Sequence, residues 1–309
     1  MTVEHIKTWR VGRVEITRLV EVWKWEDDIG MALEGAKPSI VFTQPWLLPH
    51  HVTPEGRMFI NFQAFVLKAG KRRIMIDTCV GADREREFPV FTHMQTTFLE
   101  DLASIGITPT DIDTVLCTHL HFDHVGWNTR LVDGHWVPTF PNARYLFSRK
   151  EYDHWQMLRD TGGPHTHQAI NHLADSVDPV VAAGLVDFIA HDHRISDEIT
   201  LLPTPGHTPD HVSVLINSQG EQAVITGDVM HHPIQVAMPA HPATFDMDKQ
   251  AGAQTRVEFV ERFQQKPVLV IGSHFADPGA GFIVRHGDAW KLESFKGSES
   301  LKISTTLTP

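Results

Sequence analysis

The segment Thr118-His119-Leu120-His121-Phe122-Asp123-His124 is the strongest signal for chemistry in the chain. His119 and His121, two apart on extended backbone at the exit of an apolar run, project to one side and can bind one ion. Asp123 and His124 lie past a change of direction and can serve a neighbouring ion. Imidazole and carboxylate are ligands for Zn, Mn, Fe or Co, and the lack of a nearby thiolate argues against a closed structural zinc. Three more ligand-type residues end later segments: His207 in Thr-Pro-Gly-His-Thr, Asp228 in Ile-Thr-Gly-Asp and His274 in Ile-Gly-Ser-His-Phe. In each, a strand or proline turn delivers a small residue and then a ligand, as expected where backbone passes close to a buried centre.

The elements that must position these residues can be read around them. Residues 11 to 22 alternate as a strand, and residues 62 to 68 and 72 to 77 flank an Ala-Gly turn as a hairpin. Helical spacing covers residues 92 to 104, with Gly106 as the stop. A short apolar run at 113 to 118 feeds the histidine motif. A strand at 143 to 148 leads into a helix that breaks at Gly162-Gly163-Pro164. Residues 164 to 184 read as an insertion. Strands follow at 185 to 190, 199 to 202, 211 to 217 and 222 to 226, then a helix over 248 to 265 and strands at 267 to 272, 281 to 286 and 289 to 293. The stretch 23 to 59, rich in Trp, Pro and Gly, has no clean period and reads as a functional or mobile insertion. The tail from 297 to 309 is polar and expected to be loose. No linker or fixed-period repeat divides the chain, and the ligand candidates come from both halves, so residues 1–309 are expected to form a single domain.

Composition excludes other classes. The chain has 309 residues, 41% of them hydrophobic, enough for a sizeable core. Two cysteines, Cys79 and Cys117, rule out a disulfide scaffold, and a net charge of −11 argues against a broad basic face for nucleic acid. No apolar stretch approaches bilayer length and no secretory apolar segment is visible, so a cytoplasmic protein with no membrane partner is expected. Against this stand 21 histidines.

The ordered set His-x-His-x-Asp-His, Gly-His-Thr, Gly-Asp and Gly-Ser-His, preceded by the strand end Ile76-Asp77-Thr78, resembles the metallo-β-lactamase-fold hydrolase superfamily. The resemblance implies a four-layer αββα sandwich of the α/β (α+β) class, with two metals at one edge between the sheets. It implies one ion on His119, His121 and His207, a second on Asp123, His124 and His274, and Asp228 bridging them. Zinc is the favoured metal, with Mn, Fe or Co as alternatives. Class B β-lactamases lack the bridging aspartate and several use a cysteine, so Asp228 points away from that activity. The long gap between His124 and His207 is closer to the methyl parathion hydrolase-like branch than to small acyl-homoserine lactonases. Two departures from that branch are the absent export signal and Trp127 in Val-Gly-Trp. Lactonases of the superfamily place a tyrosine three residues after the bridging aspartate, and His231 stands there instead.

The expected activity is a dinuclear metal-dependent hydrolysis of small esters, with lactones as the main class and aryl esters or phosphotriesters as further substrates. Two close cations lower the pKa of a shared water enough to supply hydroxide near neutral pH. Asp228 fixes the bridge, Asp123 completes the second ion's set, and His231 is the candidate for hydrogen bonding the substrate oxygen or donating a proton to the leaving group. The alternatives are a mononuclear iron sulfur dioxygenase, or another hydrolase of the fold such as a thioesterase.

Several residues have two readings. His231, beside His232, could instead be a second-layer or surface histidine. Asp77 either caps loop amides or orients a ligand, and Trp127 either lines the pocket or packs under the motif. Trp23, Trp25, Phe42, Trp46, Leu47 and Leu48 form a lip for an apolar substrate, with Trp46 and Leu48 as its substrate-binding candidates, or a homodimer interface. His50, His51, His165, His167, His172, His191, His193 and His241 are read as surface or insertion residues. Cys79 and Cys117 are expected in the core.

Overall fold

The computed structural model describes residues 6–162 and 170–295. The expectations for the tail and for His165 and His167 lie outside the described residues.

Alternation of apolar side chains builds two sheets. The first has the order β1 (Lys7–Val11), β2 (Val14–Asp27), β3 (Met58–Ala69), β4 (Arg72–Ile76), β5 (Thr114–Leu116), β8 (Arg144–Ser148), β9 (Val186–Ile189). The second runs β10 (Ile199–Pro203), β11 (Val212–Ser218), β12 (Glu221–Ile225), β13 (Val268–Ile271), β14 (Ala280–His286), β15 (Ala289–Ser294). A separate ribbon pairs β6 (Thr129–Val132) with β7 (His135–Pro138).

Successive residues of one strand serve different layers. On β3, Phe65 and Leu67 face the second sheet's Val214, Ile225 and Leu269 in one shared core, whereas Ala64 and Val66 pack outward with Phe98, Leu102 and Trp155. The second sheet repeats the pattern, burying Val224, Val268 and Val270 against Phe259, Val260 and Phe263 of the helix Lys249–Phe263. Strands buried on both faces read as continuous apolar runs, and Val268–Ile271 is apolar at every position. The result is the αββα sandwich.

Strand direction collects the ligands. β4, β5 and β8 run parallel in the first sheet, as do β12 and β13 in the second. β10 is antiparallel to β11, and β11 to β12, so β10 shares their direction. Asp77, the histidine motif, His207, Asp228 and His274 therefore all leave carboxyl ends of strands at one edge of the sandwich.

Several expected boundaries move. The strand read at 11 to 22 is two: Val11 ends β1, the Gly12-Arg13 turn intervenes, and β2 runs on to Asp27 through two register shifts. Trp23 and Trp25 thus lie on a bulged strand, not in an irregular insertion; Lys24 has φ +47° and its N–H is held by Asn61 Oδ1 at 2.8 Å. The remainder of the aromatic stretch, 28 to 57, closes over the site end of the sandwich, where Ile29, Leu33, Val41 and Leu47 pack with Phe62, Phe91 and Ile234. The helix read from 92 begins at Phe98, because the His93 N–H donates to Arg84 O at 2.7 Å and Thr96 Oγ1 to Glu21 at 3.0 Å, and His93 has φ +51°, which keeps the preceding residues out of the helix. Residues 170 to 184 are not a peripheral insertion: Leu173, Val177 and Val180 are core, and Asp175 pairs with buried Arg86 at 2.6 Å. Among the described residues, no helix is long and apolar enough to cross a membrane.

Candidate metal centre

Two sets of ligand atoms meet at this edge. His119, His121, His207 and Asp228 form one, and Asp123, His124, Asp228 and His274 the other, with the atoms of each set within 4.8 Å of one another. In the first, His121 Nδ1 lies 2.9 Å from His119 Nε2 and 2.8 Å from His207 Nε2. In the second, His124 Nε2 and His274 Nε2 are 3.2 Å apart, and Asp123 Oδ2 is 3.6 and 3.5 Å from them. Asp228 turns Oδ1 to His124 Nε2 at 3.2 Å and Oδ2 to His207 Nε2 and His274 Nε2 at 3.4 and 3.2 Å. The ligand grouping expected from the motifs is the grouping the fold brings together.

The outward nitrogens show why a cation fits. His124 Nδ1 donates to Asp77 Oδ2 at 2.9 Å, His274 Nδ1 to Asn61 O at 2.7 Å, and His119 Nδ1 lies 3.1 Å from Thr118 Oγ1, itself a donor to Asp77. With those nitrogens engaged outside, the second ring nitrogen of each of the three faces into the site, His119 Nε2 toward His121 and those of His124 and His274 toward each other, an arrangement that divalent ions satisfy. Asp77 realises both of its readings, since its Oδ1 also caps the Thr118 amide at 2.7 Å.

Electrostatics divides the histidines. Burial holds His119, His121 and His207 well below the usual imidazole range. Burial also pushes His124 and His274 down, but facing carboxylates, Asp228 foremost, outweigh it and raise both. Asp228 is itself held well below the carboxylate range, burial being overcome by His124, His274, His231 and His119. The facing carboxylates thus favour the protonated rings of His124 and His274 in the metal-free protein, and a bound ion would take the place of those protons. Affinity is expected to rise as pH rises above the ordinary imidazole range, with net proton release on binding. Calorimetric titration of zinc in buffers of different ionisation enthalpy checks this; uptake without proton release would contradict it.

One residue of the site has no counterpart in the sequence reading. The Asp228 N–H donates to His211 Nε2 at 2.7 Å, and His211 Nδ1 donates to Thr204 O at 3.0 Å. Burial lowers His211 to about 4, so it stays a neutral acceptor. Gly227 makes this approach feasible: it has φ +56°, and a Cβ there would lie 2.5 Å from His211 Nε2. The available signal was a second histidine four residues after His207, at the head of β11.

His231 is buried, with Nε2 3.2 Å from Asp228 Oδ2 and its ring stacked on His274 at 5.6 Å; Phe245 packs at 4.7 Å on it. Trp127 packs beneath the motif: it is buried, stacks on Phe98 at 5.4 Å and donates Nε1 to Glu21 at 2.6 Å. Trp46 is half-buried, edge-on to His51 at 6.4 Å, and Leu48 is exposed. Phe62, 5.3 Å from His274, and Trp155, 5.3 Å from His121, also wall the site and were not singled out. Two of the histidines read as surface or insertion residues are buried: His51 packs on His232 at 6.1 Å, and His172 on Trp155 at 4.7 Å. Cys79 and Cys117 are buried in the core, which pushes both thiols up.

Comparisons with known proteins agree with this geometry. An N-acyl homoserine lactonase from Bacillus sp is 26% identical over 173 residues, 55% of this chain and 59% of the lactonase, so the match spans about three-fifths of that relative. The structure of the dizinc quorum-quenching lactonase AidC in complex with a product superposes with TM-score 0.74 at 20% identity, covering 94% of this chain and 98% of that one. That of the hydrolase AbOPH superposes with TM-score 0.78 at 24% identity, covering 96% and 100%. At these identities both establish a shared fold. The profile of the metallo-beta-lactamase superfamily matches residues 63–295, which include every ligand of both sets, and the chain belongs to that superfamily.

Proposed function

We propose that the protein is a dinuclear metal-dependent hydrolase of small esters, with lactones as its main substrates. The observation that carries this reading is the single carboxylate of Asp228 facing two complete ligand sets. Two divalent ions held there, zinc foremost and Mn, Fe or Co as alternatives, would supply a water of lowered pKa and a Lewis acid for the scissile carbonyl. Asp228 spaces the two sets and orients what binds between them. Asp123, the more exposed carboxylate with 12% of its side chain accessible against 3% for Asp228, faces the side from which substrate enters. His231, beside Asp228, is placed to give a proton to the departing alkoxide. Trp46 and Leu48 form the rim of the substrate site, while Trp127 acts from below by holding the motif.

The shared core of the two sheets supports a single domain. The exposed Phe42 and Leu48 support a homodimer contact continuous with the rim, and two free buried thiols support a cytoplasmic location.

Elemental analysis and a substrate panel test the proposal. Protein purified without added metal is expected to hold close to two ions per chain. Hydrolysis is expected to be fastest on acyl-homoserine or aliphatic lactones, ahead of aryl esters, phosphotriesters and a chromogenic cephalosporin. A single tightly bound iron and no turnover on the panel would point to the dioxygenase. His231→Ala is expected to lower kcat on lactones by about 10²-fold. If it does no more than His135→Ala, a change at an exposed histidine, the proton-donor role is lost.

A further inference from the structure

His207 differs from the other ligands on its outward side. His119, His124 and His274 each have a close partner for Nδ1, whereas His207 Nδ1 is buried with no hydrogen-bond partner. The atom it faces is Asp246 Oδ1, 3.6 Å away, which is also buried and without one. That separation is too long for a hydrogen bond, but two orphaned buried groups, one a donor and one an acceptor, are aimed at each other.

The surroundings hold Asp246 in place from the far side. Its Oδ2 accepts from Arg256 Nη1 at 2.7 Å, and both side chains are fully buried. Arg256 also donates Nη2 to His241 O at 3.1 Å and Nε to Pro239 O at 3.4 Å, so the guanidinium is fixed by three partners. Burial raises the Asp246 carboxyl and Arg256 opposes it. Backbone contacts add to the clamp. Met247 N–H donates to His207 O at 3.1 Å and Asp248 N–H to Gly206 O at 2.9 Å. A Cβ on Gly206 would lie 2.3 Å from Gly252 N, and one on Gly252 2.3 Å from Asp246 Oδ2. The helix Lys249–Phe263 thus presses on the His207 loop with no room for a side chain between them.

We propose that Asp246, clamped by Arg256, is the positioning residue for His207: it takes the imidazole Nδ1–H and so directs the Nε2 lone pair to the first ion. The arrangement is a carboxylate–histidine–metal relay in which the arginine cancels the buried charge. It rests on the assignment of His207 as a ligand in the proposed dinuclear centre, and its test needs no substrate.

The experiment compares wild type, Asp246→Asn and the double variant Asp246→Asn/Arg256→Met. The double variant removes both members of the buried pair and keeps the fold available if the single variant, which strands Arg256, does not fold. Zinc affinities are read by competition with a chromogenic chelator, and the visible absorption of the cobalt-loaded forms is recorded alongside. Folding is checked by circular dichroism. The expected result is two ions in wild type and, in the folded variants, one ion at wild-type affinity and the other weakened about 10–100-fold, with altered cobalt bands. Two ions bound within twofold of wild type and unchanged cobalt bands in the double variant would overturn the inference. A wild type that binds no pair of ions would instead overturn the dinuclear reading, and this inference with it.

Discussion

Asp228→Asn is expected to lower kcat on the best lactone substrate by at least about 10²–10³-fold while leaving the fold intact. The side chain changes by one atom and keeps its volume, so packing around it is preserved. What is lost is the one anion that faces both ligand sets. Its two oxygens lie 3.2 Å from His124, 3.2 Å from His274, 3.4 Å from His207 and 3.8 Å from His119. An amide offers one neutral acceptor oxygen, and its NH2 group has no lone pair to give a second cation, so it cannot bridge two ions as the carboxylate can. The backbone of residue 228 should not move, because its N–H remains held by His211. Circular dichroism, metal content and kcat measured together separate the outcomes. Native spectra with fewer than two ions, or two ions with little turnover, both fit a bridging carboxylate; unchanged kcat would remove it from the mechanism.

The parts of this site that could be read from sequence share a physical property. Each ligand-bearing segment comes within a few residues of the end of a strand, so the stretch that carries the chemistry also carries the signal of its own placement. His119, His121, Asp123 and His124 lie within six residues at the exit of β5, and Asp228 and His274 follow Ile225 and Ile271 by three residues each. The layered fold was legible for the same reason, since the unbroken apolar runs of residues 64 to 67 on β3 and Val268–Ile271 on β13 report burial on both faces. Boundaries failed where geometry departs from the period. The Gly12-Arg13 turn is too short to interrupt the alternation of β1 and β2, and the bulges at Val20 to Trp25 break the alternation while the strand continues.

The supporting residues were hidden because their partners are distant in the chain. Asp246 and Arg256 belong to a loop and a helix beyond β12, and nothing local marks them as neighbours of His207. Trp127, three residues past the motif, reads from sequence either as lining the pocket or as packing beneath the motif. Its indole finds Glu21, more than a hundred positions earlier, whose carboxylate also accepts the Val80 N–H at 2.7 Å. A polar handle on a large buried ring is satisfied by whichever partner the fold brings up. The motif is therefore anchored from beneath by a β2 residue, and its geometry depends on how closely the loop after β4 can approach it.

Gly126→Ala tests that approach and is expected to be strongly destabilising. Gly126 has φ −54° and ψ −62°, ordinary for any residue, so no conformational freedom is at stake. Space is. A Cβ would lie 2.1 Å from both the carbonyl carbon and the oxygen of Val80, which are backbone atoms and cannot rotate away. The two segments are laced together by Gly126 N–H to Cys79 O at 2.8 Å, Trp127 N–H to Thr78 O at 2.7 Å and Thr78 N–H to His124 O at 2.8 Å. Relieving the clash by more than an ångström breaks at least one of these bonds in the interior, and the turn that moves is the one holding Asp123 and His124. Overpacking that backbone cannot absorb sits at or above the upper end of the usual range, so a loss of about 3 kcal/mol is expected. The comparator is Gly106→Ala, where a Cβ meets nothing within 4 Å and only the strain of φ +72° is felt. Denaturant unfolding should place Gly126→Ala well below Gly106→Ala in stability, and metal analysis should find the second ion depleted in the former alone. Equal stability and two ions in both variants would show that the loop after β4 yields freely, and that the motif is held by its ligands rather than by the backbone lacing beneath it.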